Sequence, residues 1–591
     1  MTLTGTGGES GDAKGVTARP ERDPGTLAGP EAQPAGPTGP EPEPTAPEPV
    51  PAAPEPALTA PGPALSAPGS ALSAPEPAPA APAGPATTPA RLRLPLALAV
   101  ALAGGLALAA AFPPVGIWPL APAGPALLAV ALWRRGLGAS LLAGLVFGLA
   151  FFVPLLSWLL NVAWYAWLAL AASEAVIFAV LAVGQRVLLG LRAWPLAVAG
   201  WWVCAEALRA RWPYAFPWGR LAMSQAGTPA APWAAIGGAP LLTFLVALAG
   251  ATLAWALLVP GRRRAMPWLL VAAVGLALAG SLLPVDRQAP GTPTATVAAV
   301  QGNVPHARNL PDLLRASTVT ANHVAATERL AAQVRSGARP APDLVIWPEN
   351  AADLDPRFYP QVYARILAAV NAINRPVLVG TLLADPVRNA SQLWLPGRGP
   401  VQTYVKRQLV PFGEYIPFRG LLKHITSLVN LQPQNFTAGH RAVVFRAGKI
   451  RLGDVICYEI GFDHLVSSEV NAGANLLAMQ TNDATFEVDG QRGETLQQLA
   501  MARIRAVESN RAVVVASTTG VSAIIAPDGR LLAHSGTWQR AVLVAQVPLV
   551  SQRTLADRLG TWPEATIVAL TVLALAWAAT ASLRRRRAAA S

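Results

Sequence analysis

The chain has 591 residues, of which 52% are hydrophobic and only 13% charged, a balance too apolar for a single soluble domain and one that points first to a membrane protein. The formal net charge of +13 does not mark a nucleic-acid surface: no basic stripe is interleaved with aromatics, and the arginines gather at the ends of apolar runs, as in Arg262-Arg263-Arg264 and Arg584-Arg585-Arg586-Arg587. The two cysteines, Cys204 and Cys457, lie far apart in unlike segments and support neither a disulfide framework nor a cysteine metal site.

Residues 1–90 are Pro, Ala, Glu and Gly in loose repeats without the large apolar residues that offset chain entropy, so a disordered tail is expected, and nothing in it reads as a secretory signal. From Leu94 onward, apolar runs long enough for a hydrocarbon layer of about 30 Å follow one another. Seven precede residue 290, at roughly 94–112, 117–133, 138–160, 163–185, 194–210, 239–259 and 266–284, and an eighth covers about 562–582. Arg91 and Arg93 before the first run, Arg134-Arg135, Arg186 and Arg192, Arg262 to Arg264, and Arg584 to Arg587 all fall on one side if each run crosses. That side is the cytoplasm, both termini lie in it, and the segment after the seventh run is delivered outside.

The expected organisation is therefore a cytoplasmic tail over 1–90, a seven-helix membrane domain over 91–285, a globular domain over 286–550, and a last span with a basic cytoplasmic end over 551–591. The globular segment carries short β-branched runs at 295–300, 343–347, 376–380, 451–456 and 512–516. They alternate with helical patterns at 310–334, 360–373 and 496–509. Strand and helix in alternation predict a layered α/β sandwich.

Three strand-end motifs present reactive side chains: Trp347-Pro348-Glu349-Asn350; Tyr404-Val405-Lys406-Arg407, running into Leu409-Val410-Pro411-Phe412-Gly413-Glu414-Tyr415; and Ile456-Cys457-Tyr458-Glu459. Alone, Cys457 reads as a small buried hydrophobe, Glu349 as a helix N-terminal carboxylate, and Lys406 with Glu414 as a surface pair. Together they fit acyl transfer through a thioester. A carboxylate takes the thiol proton, the thiolate attacks a carbonyl, and an ammonium with a backbone N–H holds the oxyanion.

At these residues the chain resembles the nitrilase (carbon-nitrogen hydrolase) superfamily, and more closely its apolipoprotein N-acyltransferase branch. Further marks are Val300-Gln301-Gly302-Asn303-Val304-Pro305, Asn482-Asp483-Ala484, Met501-Ala502-Arg503-Ile504-Arg505-Ala506-Val507-Glu508, Thr519-Gly520-Val521-Ser522-Ala523, and Ala215-Phe216-Pro217-Trp218-Gly219 in the membrane half. The resemblance implies an extracytoplasmic four-layer α-β-β-α sandwich carried by about eight transmembrane helices in a bacterial inner membrane. It implies Glu349 as general base, Lys406 as stabiliser of the charged intermediate and Cys457 as nucleophile. Glu414, Tyr458 and Glu459 would support them, Glu414 by orienting Lys406 or assisting proton transfer and Tyr458 through its backbone N–H. The implied substrates are a phospholipid donor such as phosphatidylethanolamine and a diacylglyceryl apolipoprotein acceptor, with no metal or dissociable cofactor. Thr485, Glu487 and Gln498 depart from the family pattern, which commonly has Trp, Gly and His there.

Glu206 in the fifth run is read either as functional or as half of a buried pair with Arg209. The aromatics Trp158, Trp164, Trp167, Trp212, Phe216 and Trp218 are interfacial anchors or part of an acyl-chain entry. The apolar segment 413–436, including Ile425, is expected to form a lid that keeps water from the thioester. Two rivals stay open: a membrane amidase that passes its acyl group to water, and a non-catalytic scaffold.

Overall fold

The computed structural model describes residues 91–286, 290–305, 311–424, 429–430, 432, 434–487, 490 and 492–590. The expected tail over 1–90 and Ile425 lie outside them.

Helices occupy all eight apolar runs: α1 (Leu94–Ala110), α2 (Ala123–Leu132), α3 (Leu137–Leu155), α4 (Trp164–Leu188), α5 (Trp194–Arg209), α6 (Ala234–Leu258), α7 (Met266–Ala279) and, at the far end of the chain, Trp562–Ala590. Among the described residues, five helical segments are long and apolar enough to cross a membrane: Leu137–Leu155, Trp164–Leu188, Ala231–Leu258, Arg263–Leu282 and Trp562–Arg584. The other three are shorter, α1 with 17 residues, α5 with 16 and α2 with 10, the last because the turn Trp118–Leu120 and Pro122 take up the start of its run. Helix α6 is broken near its start, where Gly237 and Gly238 leave helical geometry ahead of Pro240. A Cβ on Gly238 would come within 2.8 Å of Glu508 Oε1.

Charges inside this half find partners on other elements, and the pairing of Glu206 with Arg209 does not form. Arg209 pairs with Glu174 on α4, donates to the Trp218 carbonyl at 2.6 Å and lies over the Phe152 ring. Glu206 accepts from the Leu221 N–H and the Thr243 hydroxyl, each at 2.8 Å, and from Arg220 at 3.4 Å. Spacing of i, i+3 puts Glu206 and Arg209 on one face of α5, but each turns to the neighbouring helix that offers more bonds. Arg220 continues the chain of charges to Asp463 at 2.6 and 3.0 Å, and Asp463 meets Arg505 at 2.5 Å, which joins the membrane helices to the globular half.

The globular half contributes strands β1 (Thr294–Gln301), β2 (Leu344–Ile346), β3 (Val377–Ala384), β4 (Val387–Leu395), β5 (Gly399–Val405), β6 (Val444–Ala447), β7 (Ile450–Ile456), β8 (Leu476–Thr481), β9 (Val513–Ser517), β10 (Ala523–Ile525), β11 (Leu531–His534) and β12 (Ala541–Pro548). Among the described residues they form two six-stranded sheets, in the orders β12-β1-β2-β3-β4-β5 and β11-β10-β9-β8-β7-β6. The centres, β1-β2-β3 and β7-β8-β9, are parallel and the edges antiparallel. Side chains alternate between two cores, as a period of two requires. Val297, Ala299, Leu344, Ile346, Leu452, Ala478 and Val514 meet between the sheets. Ala298, Val300, Val345 and Val379 face outward under helices α8 (Asp312–Arg335) and α9 (Pro360–Ile373). Because both faces are covered, the strands read as unbroken apolar runs.

After the four-residue α10 (Arg419–Leu422), helices α11 (Asp463–Asn471) and α12 (Gly493–Ser509) cover the second sheet, and α13 (Leu555–Leu559) leads into α14 (Trp562–Ala590). The four layers are thus α-β-β-α. The outer layer on the second sheet does not end in solvent. Leu499, Met501, Ala502 and Ile504 of α12 share one core with Phe151, Trp158, Trp218 and Leu221 of the membrane half. Replacing Arg220 with Met would strand Glu206 and weaken Asp463, a loss of about 3–5 kcal/mol, and should appear as a strongly lowered Tm in detergent; an unchanged Tm would show that this chain of charges adds nothing to stability.

Candidate active site

Three of the predicted side chains stand just beyond a strand end. Glu349 follows β2, Lys406 follows β5 and Cys457 follows β7, where it opens a short 3-10 turn, Cys457–Gly461. Cys457 has φ +52°, a left-handed conformation that costs a residue with a side chain about 1–2 kcal/mol. The turn is held because Glu459 within it is fully buried and tied to both sheets. Its carboxylate accepts from the Ile456 N–H at 2.8 Å, the Arg407 N–H at 2.7 Å, the Gln408 N–H at 3.1 Å and the Tyr404 hydroxyl at 2.8 and 2.9 Å. Glu459 therefore pins the loop that carries Lys406 to the turn that carries Cys457.

Lys406 is 1% exposed, and its Nζ lies 3.0 Å from Glu349 Oε1 and 3.0 Å from Glu414 Oε1. Asn389 Nδ2, on β4, donates to the same two oxygens at 2.6 and 2.8 Å. The remaining oxygens accept backbone N–H groups, Glu349 Oε2 from Asn482 at 2.9 Å and Glu414 Oε2 from Val410 at 2.7 Å. Burial alone would lower the Lys406 ammonium, but Glu349 and Glu414 outweigh it and hold the group charged. Burial raises the Glu349 carboxyl above the ordinary range, with Lys406 pulling the other way. Burial, reinforced by the Glu349 charge, pushes the Cys457 thiol well up, and Lys406 again opposes. A carboxyl of raised basicity, a fixed cation and a thiol that stays protonated at rest are the parts of base-assisted nucleophilic attack.

Glu349, Lys406 and Glu414 are thus in direct contact, with Cys457 close enough to feel the first two. The Tyr458 side chain points away, donating its hydroxyl to the Ala215 carbonyl at 2.6 Å and stacking on Trp218 with ring centroids 5.5 Å apart. Of the departures from the family pattern, Thr485 is exposed and Glu487 buried, while Gln498 Nε2 lies 3.5 Å from Cys457 Sγ. Cys204 is buried in α5, away from this site. Within the 413–436 segment, Phe436 N–H donates to the Glu414 carbonyl at 2.8 Å, so the segment's end is tied back to the site, and Phe418 and Leu421 stand exposed.

Sequence reading missed Asn389, which bridges both carboxylates from the middle of a strand with no motif around it. It also missed a polar link between the sheets. Ser391 Oγ contacts Asp454 and Gln480, and Gln480 Nε2 donates to the Trp347 carbonyl two residues before Glu349. Burial pushes the Asp454 carboxyl up to about 8, so it carries its proton at neutral pH.

Two family models match the chain, one described as the apolipoprotein N-acyltransferase N-terminal domain over residues 104–252 and one as carbon-nitrogen hydrolase over residues 296–557. The chain is 37% identical over 427 residues to apolipoprotein N-acyltransferase of Mycolicibacterium smegmatis, covering 68% of this chain and 71% of that one. It is 34% identical over 414 residues to the enzyme of that name from Azotobacter vinelandii, covering 66% and 73%, and 31% identical over 398 residues to that from Pseudomonas putida, covering 65% and 74%.

Glu459→Gln would turn one acceptor oxygen into a donor facing N–H groups. A loss of about 1–3 kcal/mol is expected for each group left unpaired, measured by thermal unfolding, together with slower alkylation of Cys457; a variant as stable as the parent would refute the pinning role.

Proposed function

The chain belongs to the apolipoprotein N-acyltransferase family and is an acyltransferase of bacterial lipoprotein maturation, and from that premise we propose that Cys457, Glu349 and Lys406 carry its two half-reactions. In the first, Glu349 takes the Cys457 proton and the sulfur attacks an acyl ester carbonyl of a phospholipid such as phosphatidylethanolamine. Lys406 and the backbone N–H of Tyr458 hold the oxyanion, and Glu349 returns the proton to the departing lysophospholipid alkoxide. In the second, the α-amine of a diacylglyceryl-cysteine at an apolipoprotein N-terminus attacks the thioester, and the thiol is regenerated. This is a ping-pong scheme. The observation that carries it is the buried Lys406 ammonium held between Glu349 and Glu414 beside the Cys457 turn. Glu414 and Asn389 keep Lys406 in place, and Glu459 keeps the two loops in register.

The setting of the site is part of the same reading. The eight helical runs all cross the inner membrane, the segments 91–285 and 551–591 forming the membrane part around a catalytic part at 286–550. Arginines mark the cytoplasmic ends, both termini are cytoplasmic, and the catalytic part lies outside. A site packed against helices in the outer leaflet takes an acyl chain sideways from lipid, and each buried CH₂ adds about 0.8 kcal/mol to holding it.

Mass spectrometry of the membrane-purified protein given phospholipid and a diacylglyceryl lipopeptide should show a fatty-acyl mass on the Cys457 peptide that discharges onto the lipopeptide amine, and none in Cys457→Ser. An adduct that decays equally fast without the lipopeptide would make the protein a hydrolase. Glu349→Gln should slow acyl-enzyme formation by about 10²–10⁴-fold. Because burial raises the Glu349 carboxyl, and only its ionised form accepts the thiol proton, the rate should fall on acidification at a pH above the usual glutamate value of about 4.3. An acid limb at or below that value would remove Glu349 as the base.

A further inference from the structure

Three carboxyl groups not used above lie buried beside the nucleophile. Asp483 follows β8, Glu487 lies four residues on, and Glu494 sits in the first turn of α12; they are 0, 1 and 2% exposed. Gln498 links this cluster to the reacting sulfur. Its Nε2 donates to Glu494 Oε1 and lies 3.5 Å from Cys457 Sγ, so carboxylate and sulfur are within about 6 Å, two hydrogen-bond lengths.

The place is short of donors. Among the described residues, Gln498 Oε1 and Thr519 Oγ1 are buried without a hydrogen-bond partner, while the Glu494 carboxyl meets only Asp483 and Gln498 and the Glu487 carboxyl only the Thr495 hydroxyl. Asp483 accepts from the hydroxyls of Thr481 and Ser517 at 2.8 and 2.7 Å and also meets the Glu494 carboxyl and the Thr495 hydroxyl. The unmet Gln498 carbonyl is independent of the carboxylates and asks for the same thing, a group that donates several hydrogen bonds. Buried polar atoms left open in this way call for a partner that the protein itself does not supply.

We propose that Glu494, with Asp483, Glu487 and Gln498 Oε1, receives the ammonium of the acyl acceptor and sets its nitrogen beside the Cys457 thioester. The proposal rests on the transferase reading and names the acceptor group of that site. A primary ammonium brings three N–H donors and a positive charge to carboxyls that burial otherwise keeps protonated and that share a hydrogen bond, Glu494 to Asp483. It must also lose a proton before its lone pair can attack. Burial and the Asp483 charge push the Glu487 carboxyl up to about 9, so it holds its own proton until the charge of the arriving ammonium drives that proton off to solvent; the carboxylate so formed is basic enough to take one from nitrogen. One N–H proton passes to the cluster and is later released to solvent. The nitrogen then attacks the acyl carbon, the C–N bond forms and the C–S bond breaks. A second nitrogen proton passes by way of Glu349 to the departing Cys457 sulfur, leaving an amide and a free thiol.

The test uses the full-length protein in detergent. The acyl-enzyme is formed with phospholipid, and its discharge is followed by mass spectrometry with either a synthetic diacylglyceryl-cysteinyl peptide, which is cationic, or hydroxylamine, which is uncharged at the assay pH. Glu494→Gln preserves size and the first turn of α12. It should slow discharge to the lipopeptide by about tenfold or more beyond any slowing with hydroxylamine, and raise the KM for the lipopeptide. Glu487→Gln should act in the same sense and serves if the first variant fails to fold. Equal slowing with both nucleophiles, or no slowing, overturns the ammonium site. A wild-type acyl-enzyme that never discharges to the lipopeptide would instead overturn the transferase reading.

Discussion

The site depends on a single buried carboxylate that ties its two loops together. Glu459 joins the two sheets, with donors from Tyr404 in β5, from Arg407 and Gln408 just beyond it, and from Ile456 at the end of β7. Both sheets are six-stranded and built separately, so nothing in the strand pairing alone fixes the distance between β5 and β7. A carboxylate that accepts donors from both ends does. The left-handed Cys457 turn is affordable because its third residue is held in this way, and the reach of Lys406 follows from the same anchor.

Upon that frame the charges balance locally. One ammonium faces two carboxylates that share one amide donor, and the carboxylates' other oxygens are taken by backbone N–H groups. Truncating any member would leave another buried without a partner. Burial also has a chemical use, since a thioester persists only where hydrolysis is slow.

Much of the fold was legible in the chain because it is repetitive. The strands at 295–300, 451–456 and 512–516 and the helix at 360–373 were readable because both faces of the sheets are covered and helix α9 keeps one apolar stripe. Glu349, Lys406, Glu414 and Cys457 were legible because each follows a strand in an ordered motif. Asn389 and Ser391 were not, since alternating polar residues inside β4 look like an exposed face and become buried only when the second sheet is laid across them. The partners of Glu206 were hidden for a related reason: sequence offers its near neighbour Arg209, while the fold brings Arg220 round a loop and leaves Arg209 to α4. Span counting is limited by helix length, which turns and prolines shorten without changing composition.

The union of α12 with the membrane helices has a consequence for how such a protein can change over time. Gly461, four residues after Cys457, has no room for a side chain, because a Cβ there would come within 2.7 Å of Pro217 Cγ, and Tyr458 stacks on the neighbouring Trp218. Substitutions in the 215–219 loop and in the 457–461 turn are therefore judged together by selection, although some 240 residues separate them in the chain. A chimaera that joins this membrane half to a relative's catalytic half inherits two surfaces with different histories. Its success turns on whether that one seam was exchanged as a pair.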